Sequence, residues 1–92
     1  MTINCRVAIR PDLPGGHFVL IARAPAEPSF DNLTRPGMSA LVTHDPGDTW
    51  PDRTGRALVR AILEEGGTAF LGFSRMADAF ACHARLQREG AM

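Results

Sequence analysis

The sequence predicts an α+β domain in which two helices cover one face of a four-stranded, mainly antiparallel sheet, in the chain order β-β-β-α-β-α. Three observations lead to this prediction. Apolar residues alternate along residues 2–10, they recur with helical spacing after residues 51 and 75, and Gly- and Pro-rich clusters separate these segments. With 92 residues, 45% hydrophobic and 22% charged, the chain is expected to form a single domain, residues 1–92.

The first two strands are predicted to form an antiparallel hairpin. Residues 2–10, TINCRVAIR, alternate as a strand with one buried face does, and the apolar set is Ile3, Cys5, Val7 and Ile9. Residues 11–16, PDLPGG, are typical of a turn. Residues 17–24, HFVLIARA, are apolar on both sides, which indicates an internal strand.

A loop and a shorter strand follow. Residues 25–37 hold three prolines and little periodicity, so they are predicted to form a loop, with Phe30 as an exposed apolar candidate. Residues 38–45, MSALVTHD, predict the third strand, and the DPGD of residues 45–48 predicts a turn.

The first helix is predicted to run from Pro51 or Asp52 to Glu65, with Gly66 and Gly67 as its stop. Its helical wheel predicts one buried side, made of Leu58, Val59, Ile62 and Leu63.

The fourth strand is predicted at residues 68–74, TAFLGFS, and Ser74 is expected to cap a second helix from Arg75 to Glu89. The inner face of this helix is predicted to hold Met76, Ala79, Phe80, His83 and Leu86, and its outer face Asp78, Arg85 and Arg88.

The sheet face away from the helices is predicted to be open, because two helices can cover only one side of it. Strand alternation places Phe70 on that open face. The first two strands are expected to add Arg6, Arg10, Val19, Ile21 and Arg23. A surface that is partly apolar and partly basic often marks a partner site or a self-association face.

The segment GTAFLGF, Gly67 to Phe73, is similar to the third-strand signature of the RNA-recognition-motif family, and the following SRMADAFACHARL resembles the second helix of that family. The resemblance covers about a quarter of the chain and implies a base-stacking role for Phe70. Thr68 stands where the family has its other stacking aromatic, and a predicted helix, not a strand, precedes the segment. Generic packing of a strand and a helix is the alternative, which we favour.

Groups that could carry chemistry do not converge on one site. Potential metal ligands surround the turn at residues 45–48, namely His44, Asp45, Asp48 and Asp52, but turn formation and helix capping account for them. His83 is expected to be a half-buried packing residue, and Cys5 and Cys82 are expected to be reduced thiols of the core. We therefore predict no metal, no cofactor and no enzymatic activity.

All ten basic residues are arginines, and the formal net charge is zero, which argues against an obligate nucleic-acid binder. Arg53, Arg56 and Arg60 are spaced to share one helix face. That stripe could engage an acidic protein or a phosphate backbone, although a solvated face is the favoured interpretation. The chain shows neither a signal-peptide pattern nor an apolar run long enough to cross a membrane, so the cytoplasm is the expected compartment.

These features together predict a small, non-enzymatic protein that acts by protein–protein contact. It would regulate or inhibit a larger assembly, such as a nucleoprotein complex, and would be encoded by a bacterium, a phage or another mobile element. The predicted binding residues are Arg6, Arg10, Arg23, Phe70, Arg53, Arg56 and Arg60. Two alternatives stay open: the face around Phe70 could bind a single-stranded nucleic acid, and a homodimer would add buried surface to a modest core.

Overall fold

The computed structural model describes residues 2–13, 15–30, 39–43 and 53–89. The strands are β1 (Ile3–Ile9), β2 (His17–Arg23), β3 (Ser39–Thr43) and β4 (Thr68–Phe73), and the helices are α1 (Arg53–Glu64) and α2 (Met76–Glu89). The predicted turn at residues 45–48 and the predicted start of α1 at Pro51 or Asp52 lie outside the described residues.

The sheet has the strand order β1-β2-β4-β3. β2 pairs antiparallel with both β1 and β4, and β3 pairs parallel with β4 on its far side. The predicted α+β class, the two helices and the antiparallel arrangement of β1, β2 and β4 are confirmed. β2 lies inside the sheet, as its apolar sequence predicts, and β1 is the outermost strand on its side among the strands that the structure describes.

Both helices pack on the same face of the sheet, as predicted. The core beneath them combines strand residues with Val59, Ile62 and Leu63 of α1 and Ala79, Cys82 and Leu86 of α2. Its strand residues are Val19 and Ile21 of β2 and Ala69, Leu71 and Phe73 of β4.

The predicted position of the odd-numbered residues of β2 is wrong. Cross-strand partners share a face of the sheet, and Val19 lies opposite Val7 while Ile21 lies opposite Cys5. Val19 and Ile21 therefore lie under the helices. Arg23, opposite Ile3, is on that side too, exposed at the strand end. Only the register of the hairpin decides which face of β2 lies under the helices, because β2 is apolar at both its odd-numbered and its even-numbered positions.

The end of α1 at its glycines is confirmed. Gly66 has a φ of 84°, a left-handed conformation that favours glycine. Its N–H donates to the Leu63 carbonyl at 3.1 Å, and the N–H of Gly67 donates to the Ile62 carbonyl at 3.0 Å. This pair of bonds is the Schellman arrangement, which satisfies two terminal carbonyls of the helix.

Several predicted helix faces differ from the structure. Leu58, Met76 and Phe80 were predicted to be buried, but they are 47%, 47% and 52% exposed. Asp78, predicted to face out, is only 8% exposed, whereas Cys82 is fully buried, as expected of a thiol of the core. The cause is a narrow contact strip: α2 rests on the sheet through Ala79, Cys82 and Leu86, at i, i+3 and i+7. Phe80 projects about 100° away from Ala79 around the helix.

The turn between β1 and β2 depends on Gly15, and we expect Gly15→Ala to lower the free energy of unfolding by about 1–3 kcal/mol. Gly15 has a φ of 94°, and an added Cβ would lie 3.3 Å from the Gly72 Cα and the Phe73 nitrogen of β4. Gly16 is the matched control, because its φ is 72° but an added Cβ meets nothing within 4 Å. Urea denaturation should show the smaller loss for Gly16→Ala; equal losses would contradict the steric argument.

Candidate functional site

Phe70 points away from the helices, as predicted, but it is not accessible. Its side chain is 0% exposed and forms a second core with Phe18 and Leu20. The Phe30 ring stacks on it, with 5.4 Å between ring centroids and 24° between planes. The predicted exposure of Phe70 is therefore wrong, and so is that of Phe30, which is half-buried.

Residues of two loops cover Phe70 and its neighbours, which could not be predicted from the number of helices. Leu13, from the turn after β1, and Phe30, from the segment after β2, pack against the second core together with Ala8. The Phe30 ring also meets Phe18 edge-on, at 5.5 Å and 89°. Such aromatic pairs add to the stabilisation that burial alone provides. The central part of the far face is therefore a core, and a base cannot stack on Phe70 in this conformation.

Arg10 is engaged within the chain. Its guanidinium lies 5.0 Å from the centroid of the Phe30 ring, and it donates two hydrogen bonds to the Asp12 carboxylate, at 2.8 and 2.7 Å. The side-chain hydrogen bond between them raises the pKa of Arg10 and lowers the pKa of Asp12. Both groups are solvent-exposed, so this pair contributes little to stability. Arg10 lies over the Phe30 ring and is not an unoccupied cation.

The arginines among the predicted binding residues lie on three surfaces. Arg6 is exposed on the far face, opposite Leu20 in the sheet, where the prediction placed it. Arg23 lies on the helix side. Arg53 begins α1, and Arg56 and Arg60 are exposed on that helix. Arg23 therefore does not share the face that was predicted for it with Arg6 and Arg10.

The accessible feature that the prediction missed is the outer edge of β1. Arg10 N–H donates to the Gly16 carbonyl at 2.8 Å, and Ala24 N–H donates to the Thr2 carbonyl at 3.1 Å. Hydrogen-bonded pairs alternate along an antiparallel ladder, so the even-numbered residues of β1 direct their N–H and C=O groups to β2. The odd-numbered residues direct theirs outward: Ile3, Cys5, Val7 and Ile9. Within the described part of the chain, β2 is the one strand that pairs with β1.

An apolar flank of α2 lies along this edge. His83 Nε2–H donates to the outward carbonyl of Cys5, at 3.2 Å, which fixes that flank beside β1. Met76 and Phe80 precede His83 by seven and three residues, so they share its side of the helix. Helical spacing therefore places them on the β1 side of α2. Together with Ile9, which is 53% exposed, they are three half-exposed apolar side chains on this side of the molecule. We call this the β1-edge surface: the outward backbone of β1 with the side chains of Ile9, Met76 and Phe80.

The other half of the same edge is concave. A space of about 440 Å³ borders the first residues of β1. Its wall on the helix side is formed by Ile3 and Cys5 of β1 and Leu86 and Gln87 of α2, and its opposite wall includes Arg6, Glu27 and Pro28. Arg6 is thus the predicted binding residue that lies at the accessible edge.

The two thiols are poor nucleophiles. Burial raises the pKa of Cys5, and it raises the pKa of Cys82 to about 12, with a smaller Coulombic contribution from Cys5. Both therefore remain protonated at neutral pH, where the reactive thiolate is scarce. His83 is half-buried and bonded to backbone, as expected of a packing residue.

Among the described residues, no three His, Cys, Asp or Glu side chains are grouped closely enough to hold a metal ion. The predicted ligands His44, Asp45, Asp48 and Asp52 lie outside the described residues. The described helices are too short or too polar to span a membrane.

Comparisons of the chain with protein-family models, curated proteins and solved structures find no match. The resemblance of residues 67–73 to the RNA-recognition motif therefore has no support from a family match, and the burial of Phe70 removes the stacking role that it implied.

Proposed function

We propose that this chain is a non-enzymatic binding protein that acts through protein–protein contact at the β1-edge surface. One observation carries the proposal: half-exposed apolar side chains flank a strand whose outward N–H and C=O groups are free of a neighbouring strand within the described residues. An exposed strand edge is a template for a further strand, and proteins usually block it unless it serves binding.

The two parts of this surface suit a protein partner. Outward backbone groups can pair with another strand, which gives affinity that is largely independent of sequence. Phe80 and Met76 can bury apolar area against that partner, and aromatic side chains are enriched among the residues that dominate interface energies. A regulator or inhibitor of a larger assembly, including a nucleoprotein complex targeted by a phage or another mobile element, would suit a chain of 92 residues.

A single-stranded nucleic acid is the weaker alternative. That function would need stacking rings and free cations on one face. Phe70 is buried beneath Phe30, and Arg10 is paired with Asp12. The formal net charge of zero also gives little general attraction for phosphates.

Site-specific photocrosslinking in cells tests the proposal. With photoreactive benzoylphenylalanine in place of Phe80, we expect a discrete protein adduct, because this side chain would lie inside the interface. The matched control carries the same group in place of Ala77, which is exposed on the outer side of α2, and it should give little or none. Equal adducts from both positions, no adduct, or an adduct removed by nuclease would each count against the proposal.

A further inference from the structure

We infer that the occupant of the β1-edge surface is a second copy of this chain, with the two β1 strands paired antiparallel about a two-fold axis at Val7. This inference rests on the proposed function, because it identifies the protein that the same surface binds. Three properties of the edge favour a second copy: its hydrogen-bond pattern, the side chains that the register brings together, and the shape of its two halves.

The hydrogen-bond pattern permits self-pairing with both sets of helices on one face. With the axis at Val7, the two Val7 residues face each other, and Cys5 faces Ile9 of the second copy. These residues direct their N–H and C=O groups outward, so the Val7 pair can exchange both of its backbone bonds. In each Cys5–Ile9 pair the Cys5 N–H can donate to the Ile9 carbonyl, whereas the Cys5 carbonyl already accepts from His83 of its own chain. The apolar side chains of the two β1 strands, which lie on the helix side of each sheet, then form one continuous apolar surface.

The charge of Arg6 favours this register over one centred on Arg6. An axis at Arg6 would place the two Arg6 side chains directly opposite each other, and like charges in that position destabilise a strand pair. An axis at Val7 places Arg6 opposite the small Ala8 of the second copy instead. The formal net charge of zero adds no long-range repulsion between two copies.

The shape of the edge is self-complementary in the same register. Ile9 is 53% exposed at one end of β1, and the concave space of about 440 Å³ lies beside Cys5 at the other. Pairing at Val7 brings Ile9 of each copy to the Ile3–Cys5–Leu86 wall of the other. Phe80 lies one helical turn before His83, which contacts Cys5, so it stands near the level of Val7 and close to the axis.

Sedimentation equilibrium of the isolated chain tests the inference. We expect a mass about twice the 9.9 kDa of one chain. Phe80→Arg should weaken dimerisation about tenfold or more, as loss of a central aromatic anchor does. Ala77→Arg adds the same charge on the outer side of α2 and should leave the dimer unchanged. Far-ultraviolet circular dichroism would establish that both variants fold.

A disulfide-trapping pair tests the register. Mild oxidation of a mixture of Arg6→Cys and Ala8→Cys chains should yield a covalent dimer of the two. Arg6→Cys alone should yield no more covalent dimer than the unsubstituted chain, in which Cys5 provides the background thiol. A dimer trapped through Arg6→Cys alone would overturn the Val7 axis.

The outcomes separate this inference from the proposed function. A monomer at every accessible concentration, with a photoadduct of a different protein at position 80, would overturn the second copy and leave protein binding in place. A monomer with no photoadduct would overturn both. A dimer equally stable with Phe80→Arg would overturn the inferred interface.

Discussion

Replacement of Phe70 by alanine is expected to lower the free energy of unfolding by about 3–5 kcal/mol, as for other large aromatic side chains deleted from a core. The Phe70 ring is fully buried between Leu20 of the neighbouring strand and the stacked Phe30 ring. Its removal leaves a cavity that the surrounding β-strands cannot easily close, because their spacing is set by backbone hydrogen bonds. Urea denaturation followed by circular dichroism would measure the loss.

Phe80→Ala is the matched control for that experiment, since it deletes the same ring from a side chain that is 52% exposed. At a protein concentration where the chain is monomeric, we expect a change within about 0.5 kcal/mol, typical of surface positions. The contrast separates a core phenylalanine from one available for binding. Phe70→Ala with unchanged stability would show that the face around Phe70 is open and would revive the nucleic-acid alternative.

The protein is expected to lose stability between about pH 9 and pH 12 because of Cys82. Burial raises the pKa of this thiol from 9.0 to about 12 in the folded chain. The unfolded chain therefore releases its proton first as the pH rises. The stabilisation is fully present below pH 9 and is lost toward pH 12, with a slope of up to about 1.4 kcal/mol per pH unit and a total on the order of 4 kcal/mol.

The composition allows the loss of stability at alkaline pH to be assigned to a thiol. The chain has no tyrosine, and all of its basic residues are arginines, so neither phenols nor ammonium side chains titrate in that interval. Urea denaturation at a series of pH values should give a shallower pH slope for Cys82→Ala than for the unsubstituted chain. Cys5→Ala should retain most of the slope, because Cys5 is only partly buried. An unchanged slope in Cys82→Ala would contradict the assignment.

The elements of this fold could be predicted from local patterns. The alternation of residues 2–10, the two-sided apolar sequence of β2 and the glycines after α1 each depend on neighbours in the chain. Backbone geometry then places them: a strand has period two, and a helix ends readily at a left-handed glycine. The structure agrees with these predictions to within a few residues.

The candidate site could be predicted only in part. Arg6 was placed on the correct face of the sheet. Phe70 was expected to be exposed because the residues that cover it, Leu13 and Phe30, belong to irregular segments, and the packing of such segments leaves no periodic pattern in the sequence. Phe80 was expected to be buried because the helical wheel does not show how wide a strip the sheet will cover. The edge position of β1 depends on β2 pairing with β4, a contact between strands far apart in sequence.

The sequence by itself determined the order of strands and helices, the internal character of β2, and the packing of both helices on one side of the sheet. These features depend on alternation and amphipathicity, which are properties of neighbouring residues. Only the tertiary structure decided that loops close the far face over Phe70, that Arg10 is occupied by Asp12 and Phe30, and that β1 is left as an edge beside Met76 and Phe80. The physical reason is that these outcomes depend on strands that pair across a long sequence separation and on loop side chains that fill space beside distant residues. No local sequence pattern encodes either of these.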